Sequence, residues 1–257
     1  MGIYTTETSV LFDTDNVIRQ RQSFAYEQAS KMINGGHLLE LGVGIGRGMK
    51  IMCDKADKVT AIDKNEELIN GLKQENPTWE LIAMHMPPLA GLPDNTYDYV
   101  VLFQVIEHIK DDDLFVKEIY RVLKPGGKCF ITTPNIKMTL SRNPWHEREY
   151  TVDGLKKLLS KYFSKVDMQG VYGSQKVMDY YEKNKASVAR FKRIDIFNLE
   201  NNLPLWAYRL PYEFLNRWQR KKLMDKDTSL VSDVTTGDYR IEPANDVCLD
   251  LWAIIEK

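Results

Sequence analysis

Residues 38 to 48, Leu-Leu-Glu-Leu-Gly-Val-Gly-Ile-Gly-Arg-Gly, carry an apolar run straight into a loop with glycine at every second position. Such a loop lets a ligand lie against bare backbone, because glycine reaches positive φ and tolerates approaches that a Cβ forbids. A second apolar run, Val59-Thr60-Ala61-Ile62, ends in Asp63, 21 positions after Gly42. A strand, a glycine turn, a helix and a second strand ending in a carboxylate make up a nucleoside-binding βαβ unit. The loop of such a unit faces one end of the ligand and the acid takes the ribose hydroxyls. Few chains with this opening can avoid a parallel α/β sheet.

The glycine spacing narrows the nucleoside. A dinucleotide fingerprint starting at Gly42 and Gly44 requires glycine at position 47, which is Arg47; the glycines fall instead at Gly46 and Gly48. A phosphate loop is also missing, since Met49 and Lys50 follow Gly48 where Lys-Ser/Thr would stand. Glu40, just before the glycines, would repel a phosphate but suits an ammonium group. S-adenosylmethionine carries that group together with a sulfonium and a ribose.

Glu40-x-Gly42-x-Gly44-x-Gly46 resembles the first motif of class I S-adenosylmethionine-dependent methyltransferases, and Asp63 resembles their ribose-binding acid. The similarity continues through Leu92–Val101, Phe103–Ile109 and Arg121–Gly127, which resemble the approach to the fourth strand, its exit and the turn before the fifth. Four motifs in order span roughly residues 36 to 135. Their nearest likeness is to the small-molecule group that includes ubiquinone-biosynthesis O-methyltransferases. The resemblance implies a Rossmann-like sheet of seven strands, the last antiparallel, flanked by helices, with S-adenosylmethionine as cofactor. It implies cofactor contacts at Glu40, Gly42, Gly44, Gly46, Asp63, Lys64, Phe103 and Gln104. The family usually offers an acid to the adenine amino group; here that position is Met86, flanked by His85, so these two are expected to form the adenine pocket.

The remaining pattern agrees with that fold. A helix is expected over 15–33, stopped at Asn34-Gly35-Gly36, with Arg19, Arg21 and Tyr26 closing over the methionine end of the cofactor. Strands are expected at about 37–41, 58–63, 79–84, 98–103 and 128–133, with helices at 46–55, 65–74 and 111–123 between them. Asp111 or Asp112 caps the last of these helices. Thr151 caps a helix over 152–163, a sixth strand covers 165–172, and the apolar run 247–255 is the last strand. Where the family joins its last two strands by a short hairpin, some 70 residues intervene. The expected organisation is therefore a core over 1–173, a helical lid or substrate insertion over 174–246 and a final core strand over 247–257. Between 174 and 226 twelve Lys/Arg face six acids, interleaved with aromatics such as Tyr180, Trp206 and Trp218. That composition fits first a helical lid with its apolar side on the core and a solvated basic face, and second the recognition of an anionic acceptor or a membrane surface.

Thirty-five basic against 36 acidic residues give no overall pull toward nucleic acid. Cys53, Cys129 and Cys248 lack metal or disulfide spacing, and no apolar run approaches a bilayer span, so a cytoplasmic monomer or homodimer is expected. For catalysis, His108 is the first candidate base and His146, in Asn143-Pro144-Trp145-His146-Glu147-Arg148-Glu149, the second, because imidazole titrates near neutrality. Glu107-His108 brings only one carboxylate, and Gln104 withholds the second that a hard cation would want, so no metal is expected. The expected activity is O-methylation of a small molecule, a glycan, or a lipid-linked or nucleotide-linked sugar. A cofactor-binding module without catalysis, acting as a regulatory or interaction protein, stays open; a dinucleotide oxidoreductase is disfavoured by Arg47.

Overall fold

The computed structural model describes residues 13–194, eight isolated positions between 204 and 225, and residues 228–257. Its strands are β1 (His37–Leu41), β2 (Lys58–Asp63), β3 (Glu80–Ala83), β4 (Tyr97–Phe103), β5 (Leu123–Pro134), β6 (Lys165–Gly173), β7 (Tyr239–Pro243) and β8 (Asp250–Glu256). Among the described residues they form one sheet in the order β3-β2-β1-β4-β5-β8-β6-β7. The first five pair in parallel, while β8 runs antiparallel to both of its neighbours.

Side chains alternate across this sheet and divide the core into two layers. Leu39, Leu41, Val100 and Leu102 face one way, onto Phe115, Val116 and Ile119 of α4 (Asp112–Val122) and Leu155 and Leu159 of α5 (Val152–Leu159). Leu38, Val101, Phe103 and Trp252 face the other. There they meet Phe24 and Ala25 of α1 (Asn16–Ser30), Met49 and Met52 of α2 (Met49–Met52), Ile69 and Leu72 of α3 (Glu66–Glu75), and Val177 of α6 (Gln175–Ile194). Burial on both faces explains why β4 and β8 read as unbroken apolar runs.

Asp111 caps α4 by accepting from the Leu114 amide at 3.0 Å, and Thr151 caps α5 by accepting from the Gly154 amide at 3.1 Å. The helix expected over 46–55 is shorter than its pattern: α2 covers four residues and a 3-10 turn follows. Gly46, at φ +75°, still belongs to the loop. The last strand begins at Asp250, not at 247, because the Asn135 side-chain amide donates to the carbonyls of Asn245 and Cys248 and holds that stretch as a turn.

The described part of the insertion is not wholly helical. It opens with α6 and returns through α7 (Thr228–Ser232), but then adds β7 to the outer edge of β6, making eight strands where seven were expected. Tyr239 and Ile241 alternate with Arg240 and Glu242 in β7, and Pro243 ends it. Charged residues and proline are the usual protection of an edge strand. The N-terminal end of α1 is fastened to this returning chain. The buried Asn16 amide donates to the carbonyls of Val231 and Val234, both at 2.9 Å, and the Tyr239 hydroxyl donates to the Val17 carbonyl at 2.6 Å.

Candidate active site

The order of the strands reverses at β1, which has β2 on one side and β4 on the other, and a crevice opens beyond their carboxyl ends. It holds a cavity of about 490 Å³, within the size range of small-ligand sites. The loops leaving β1, β2, β3 and β4 form its walls, α1 forms a roof, and the loop after β5 closes one end.

The glycine loop is drawn tightly across the end of β2. The amides of Gly42 and Val43 donate to the Ile62 carbonyl at 2.8 and 3.0 Å. A Cβ on Gly42, at φ +85°, would stand 2.5 Å from Val105 Cγ2, so only glycine fits. The Gly44 amide donates to Asp63 Oδ2 at 2.9 Å, while Asp63 Oδ1 accepts from the Asn65 amide at 2.9 Å. Asp63 does not cap α3, whose cap is Asn65. The Asp63 carboxylate is thus fixed by two backbone donors and is 8% exposed, and it lines the cavity with Gly42 and Gly44.

Lys64, His85, Met86, Phe103 and Gln104 also line the cavity. Gln104 adopts φ +59° and is held by Thr132, whose carbonyl accepts from its amide at 2.9 Å. Two expected contacts lie behind the wall instead. Gly46 backs onto α3, where a Cβ would sit 2.6 Å from Leu72 Cδ2. Glu40 is 1% exposed and does not reach the cavity surface. Its Oε1 accepts from the Tyr26 hydroxyl at 2.7 Å, and its Oε2 has no hydrogen-bond partner among the described residues. Burial pushes the Glu40 carboxyl up to about 8, nearby Asp63 adds to this, and the Tyr26 bond opposes it.

From the roof, Arg21 and Tyr26 enter the cavity as expected, whereas Arg19 turns back to Asn16 Oδ1 at 2.8 Å. The Tyr26 ring lies edge-on to Phe103, centroids 4.7 Å apart, and covers Gly48. Arg21 Nε stands 3.0 Å from the buried Asp250 Oδ2. Arg47, used in the sequence only to exclude a dinucleotide, lines the cavity too.

The far end gathers the ionisable groups. The Glu107 carbonyl accepts from the amides of Glu147 and Arg148, lacing the exit of β4 to the loop after β5. This brings His146 against His108, with ring centroids 4.8 Å apart at 87°. His108 Nδ1 donates to the Trp145 carbonyl at 2.8 Å. His146 Nδ1 donates to Glu149 Oε1 at 2.7 Å, and Asn143 Nδ2 donates to His146 Nε2 at 2.8 Å. These partners place a proton on Nδ1 of both rings. Glu107 is fully buried; its Oε2 accepts from the Thr133 hydroxyl at 3.0 Å and its Oε1 has no partner among the described residues. Burial pushes its carboxyl up to about 7, against the pull of His146. Glu149, which the sequence gives only as part of this loop, could have been tied to His146 by its i+3 spacing.

A family model described as a methyltransferase domain matches residues 39–131. A Mycolicibacterium smegmatis protein named a probable S-adenosylmethionine-dependent methyltransferase is 34% identical over 93% of this chain and 89% of its own length. A ubiquinone biosynthesis O-methyltransferase of Xanthomonas oryzae is 30% identical over 43% of this chain and 48% of its own. Among solved structures, a SAM-dependent methyltransferase of Thermotoga maritima, described as a possible histamine N-methyltransferase, superposes with TM-score 0.56 at 15% identity, covering 94% of this chain and 91% of that one.

Proposed function

The chain belongs to the S-adenosylmethionine-dependent methyltransferases, and we propose that it transfers the methyl to an oxygen of a small-molecule or glycan acceptor. The observation that carries this reading is one cavity with two chemically distinct ends. One end has bare glycine backbone and a fixed carboxylate, and the other has two imidazoles beside a buried carboxyl.

The cradle fits the cofactor on the structure's own terms. Gly42 and Gly44, both at positive φ, line the cavity with backbone alone, and Asp63 lines it beside them. Asp63 would hold the ribose, His85 and Met86 would border the adenine, and Arg21, Arg47 and Tyr26 would enclose the methionine end. When bound, the cofactor supplies an activated methyl. The chain's part is to align the acceptor, keep water out beneath the α1 roof, and help a hydroxyl shed its proton. His108 and His146 line the same cavity beyond the glycine cradle, and a base within reach of an acceptor hydroxyl supports oxygen as the methylated atom. The basic composition of 174–226 supports an acceptor carrying an anionic group, such as a nucleotide-linked or lipid-linked sugar; most of that segment lies outside the described residues. No described helix is long and apolar enough to cross a membrane. A cytoplasmic location and a monomer or homodimer remain part of this proposal.

The test is thermal shift with S-adenosylmethionine, S-adenosylhomocysteine and NAD in parallel. Stabilisation by the first two is expected. Stabilisation by NAD alone would overturn the reading.

A further inference from the structure

The acceptor end has a property that a pair of histidines beside a methyl donor does not need. Glu107, His108 and His146 each offer one ligand atom, and the three atoms lie within 4.8 Å of one another. Each side chain is also held from behind through its other polar atom. Thr133 binds Glu107 Oε2, the Trp145 carbonyl binds His108 Nδ1, and Glu149 binds His146 Nδ1. The Glu149 carboxylate is itself anchored by the Thr139 hydroxyl. A ring nitrogen tied to a carboxylate or a backbone carbonyl leaves the opposite nitrogen to a cation, the outer-sphere arrangement of metal-binding histidines. Glu107 Oε1 is buried and has no hydrogen-bond partner among the described residues, a cost that a fold rarely leaves uncompensated.

We propose that Glu107, His108 and His146 bind one divalent transition-metal ion of the zinc class at the acceptor end of the cavity. Two imidazoles and one carboxylate select a borderline ion such as Zn²⁺ or Co²⁺ over Mg²⁺ or Ca²⁺, which prefer oxygen throughout. Bond lengths of about 2.0–2.2 Å draw ligand atoms to about 3–3.5 Å from one another, so the triad closes further around the ion. Asn143 is the gate to this closure, because its Nδ2 donates to the His146 Nε2 lone pair and must swing aside. The surroundings favour positive charge, with Glu149 and Asp250 close by and Arg21 already engaged with Asp250. Three protein ligands leave open positions on the ion, where an acceptor hydroxyl would become more acidic. That last role rests on the methyltransferase reading; the binding of the ion does not. The sequence expectation of no metal counted carboxylates around 104–107, whereas the third ligand comes from a loop 38 positions beyond His108.

The experiment uses the full chain stripped of metal by a chelator and dialysed, in the presence of S-adenosylhomocysteine. Zn²⁺ is titrated calorimetrically, Co²⁺ by its visible absorption, and Mg²⁺ as comparison. One Zn²⁺ per chain is expected, with Co²⁺ bands of a nitrogen–oxygen site and no Mg²⁺ binding in the same range. Glu107→Gln and His146→Ala should each weaken Zn²⁺ at least tenfold, and Glu149→Ala by about 10- to 100-fold. Asn143→Ala should bind at least as tightly as the parent. The thermal shift with S-adenosylhomocysteine reports whether each variant is folded, and it reads the cofactor site independently of the metal. Failure of the parent to bind Zn²⁺ one to one overturns the proposal. So does binding unaltered by both Glu107→Gln and His146→Ala, which would place the ion elsewhere on the surface.

Discussion

Replacing Asp63 with alanine should weaken S-adenosylhomocysteine binding by about 10- to 150-fold. Each Asp63 oxygen accepts one backbone hydrogen bond, from Gly44 and from Asn65, both at 2.9 Å, and each keeps a second lone pair. The carboxylate therefore cannot rotate away from the cavity without breaking both bonds, and its free lone pairs are presented to a ribose already oriented. Hydrogen bonds to a charged group contribute about 1.5–3 kcal/mol, and every 1.4 kcal/mol is about tenfold in affinity. Asparagine should not rescue the loss, because its NH2 must face the amide of either Gly44 or Asn65, donor against donor. Isothermal titration with S-adenosylhomocysteine reads the effect, and adenine, which has no ribose, is the control whose affinity should not change. An unchanged affinity for the nucleoside, or an equal loss for adenine, would refute the assignment of Asp63 to the ribose.

Two other substitutions probe the roof and the wall. Gly48→Ala keeps an ordinary helical backbone, at φ −68°, but its Cβ would fall 2.0 Å from the Tyr26 ring. It should cost about 1–3 kcal/mol, lowering Tm by about 2–4 °C per kcal/mol, and should loosen S-adenosylhomocysteine. In a Tyr26→Ala background the cost should largely disappear, and additive effects would show that the two residues do not meet. Glu40 has a pKa of about 8 in the fold against 4.5 for the unperturbed group. Below pH 4.5 folded and unfolded chains are both protonated there. As pH rises from 4.5 to 8 the unfolded chain holds fewer protons, so this group lowers stability across that window, by up to the order of 5 kcal/mol. Glu40→Gln should therefore flatten the decline in ligand-free urea stability between pH 5 and 8, and profiles that run parallel would contradict it.

Much of the core could be read from the residues because its signals are local. Glycine at positive φ, an acid at the end of β2 and caps at Asp111 and Thr151 depend on neighbours a few positions away. What escaped was decided by distant chain. The stretch 247–249 has the apolar character of a strand but is bent by Asn135, more than 100 positions earlier. Glu40 reads as a carboxylate offered to a ligand until Tyr26, on another element, takes one of its oxygens. β7 has a clear two-residue alternation and the charges and proline of an edge, yet it is only five residues long and follows a segment rich in helix formers, so it does not stand out as a strand. His146 and Glu107 could be suspected singly, but nothing in their spacing brings them together. The hydrogen bonds from two amides to the Glu107 carbonyl, and from His108 to the Trp145 carbonyl, do so.

The attachment of Asn16 and Val17 to residues 231–239 joins the first helix to the last third of the chain. Whatever steadies the returning segment also steadies the cover over the nucleoside, and whatever releases one frees the other. A substitution at Asn16 that breaks these bonds should therefore loosen the cavity's cover without altering the cavity's own lining.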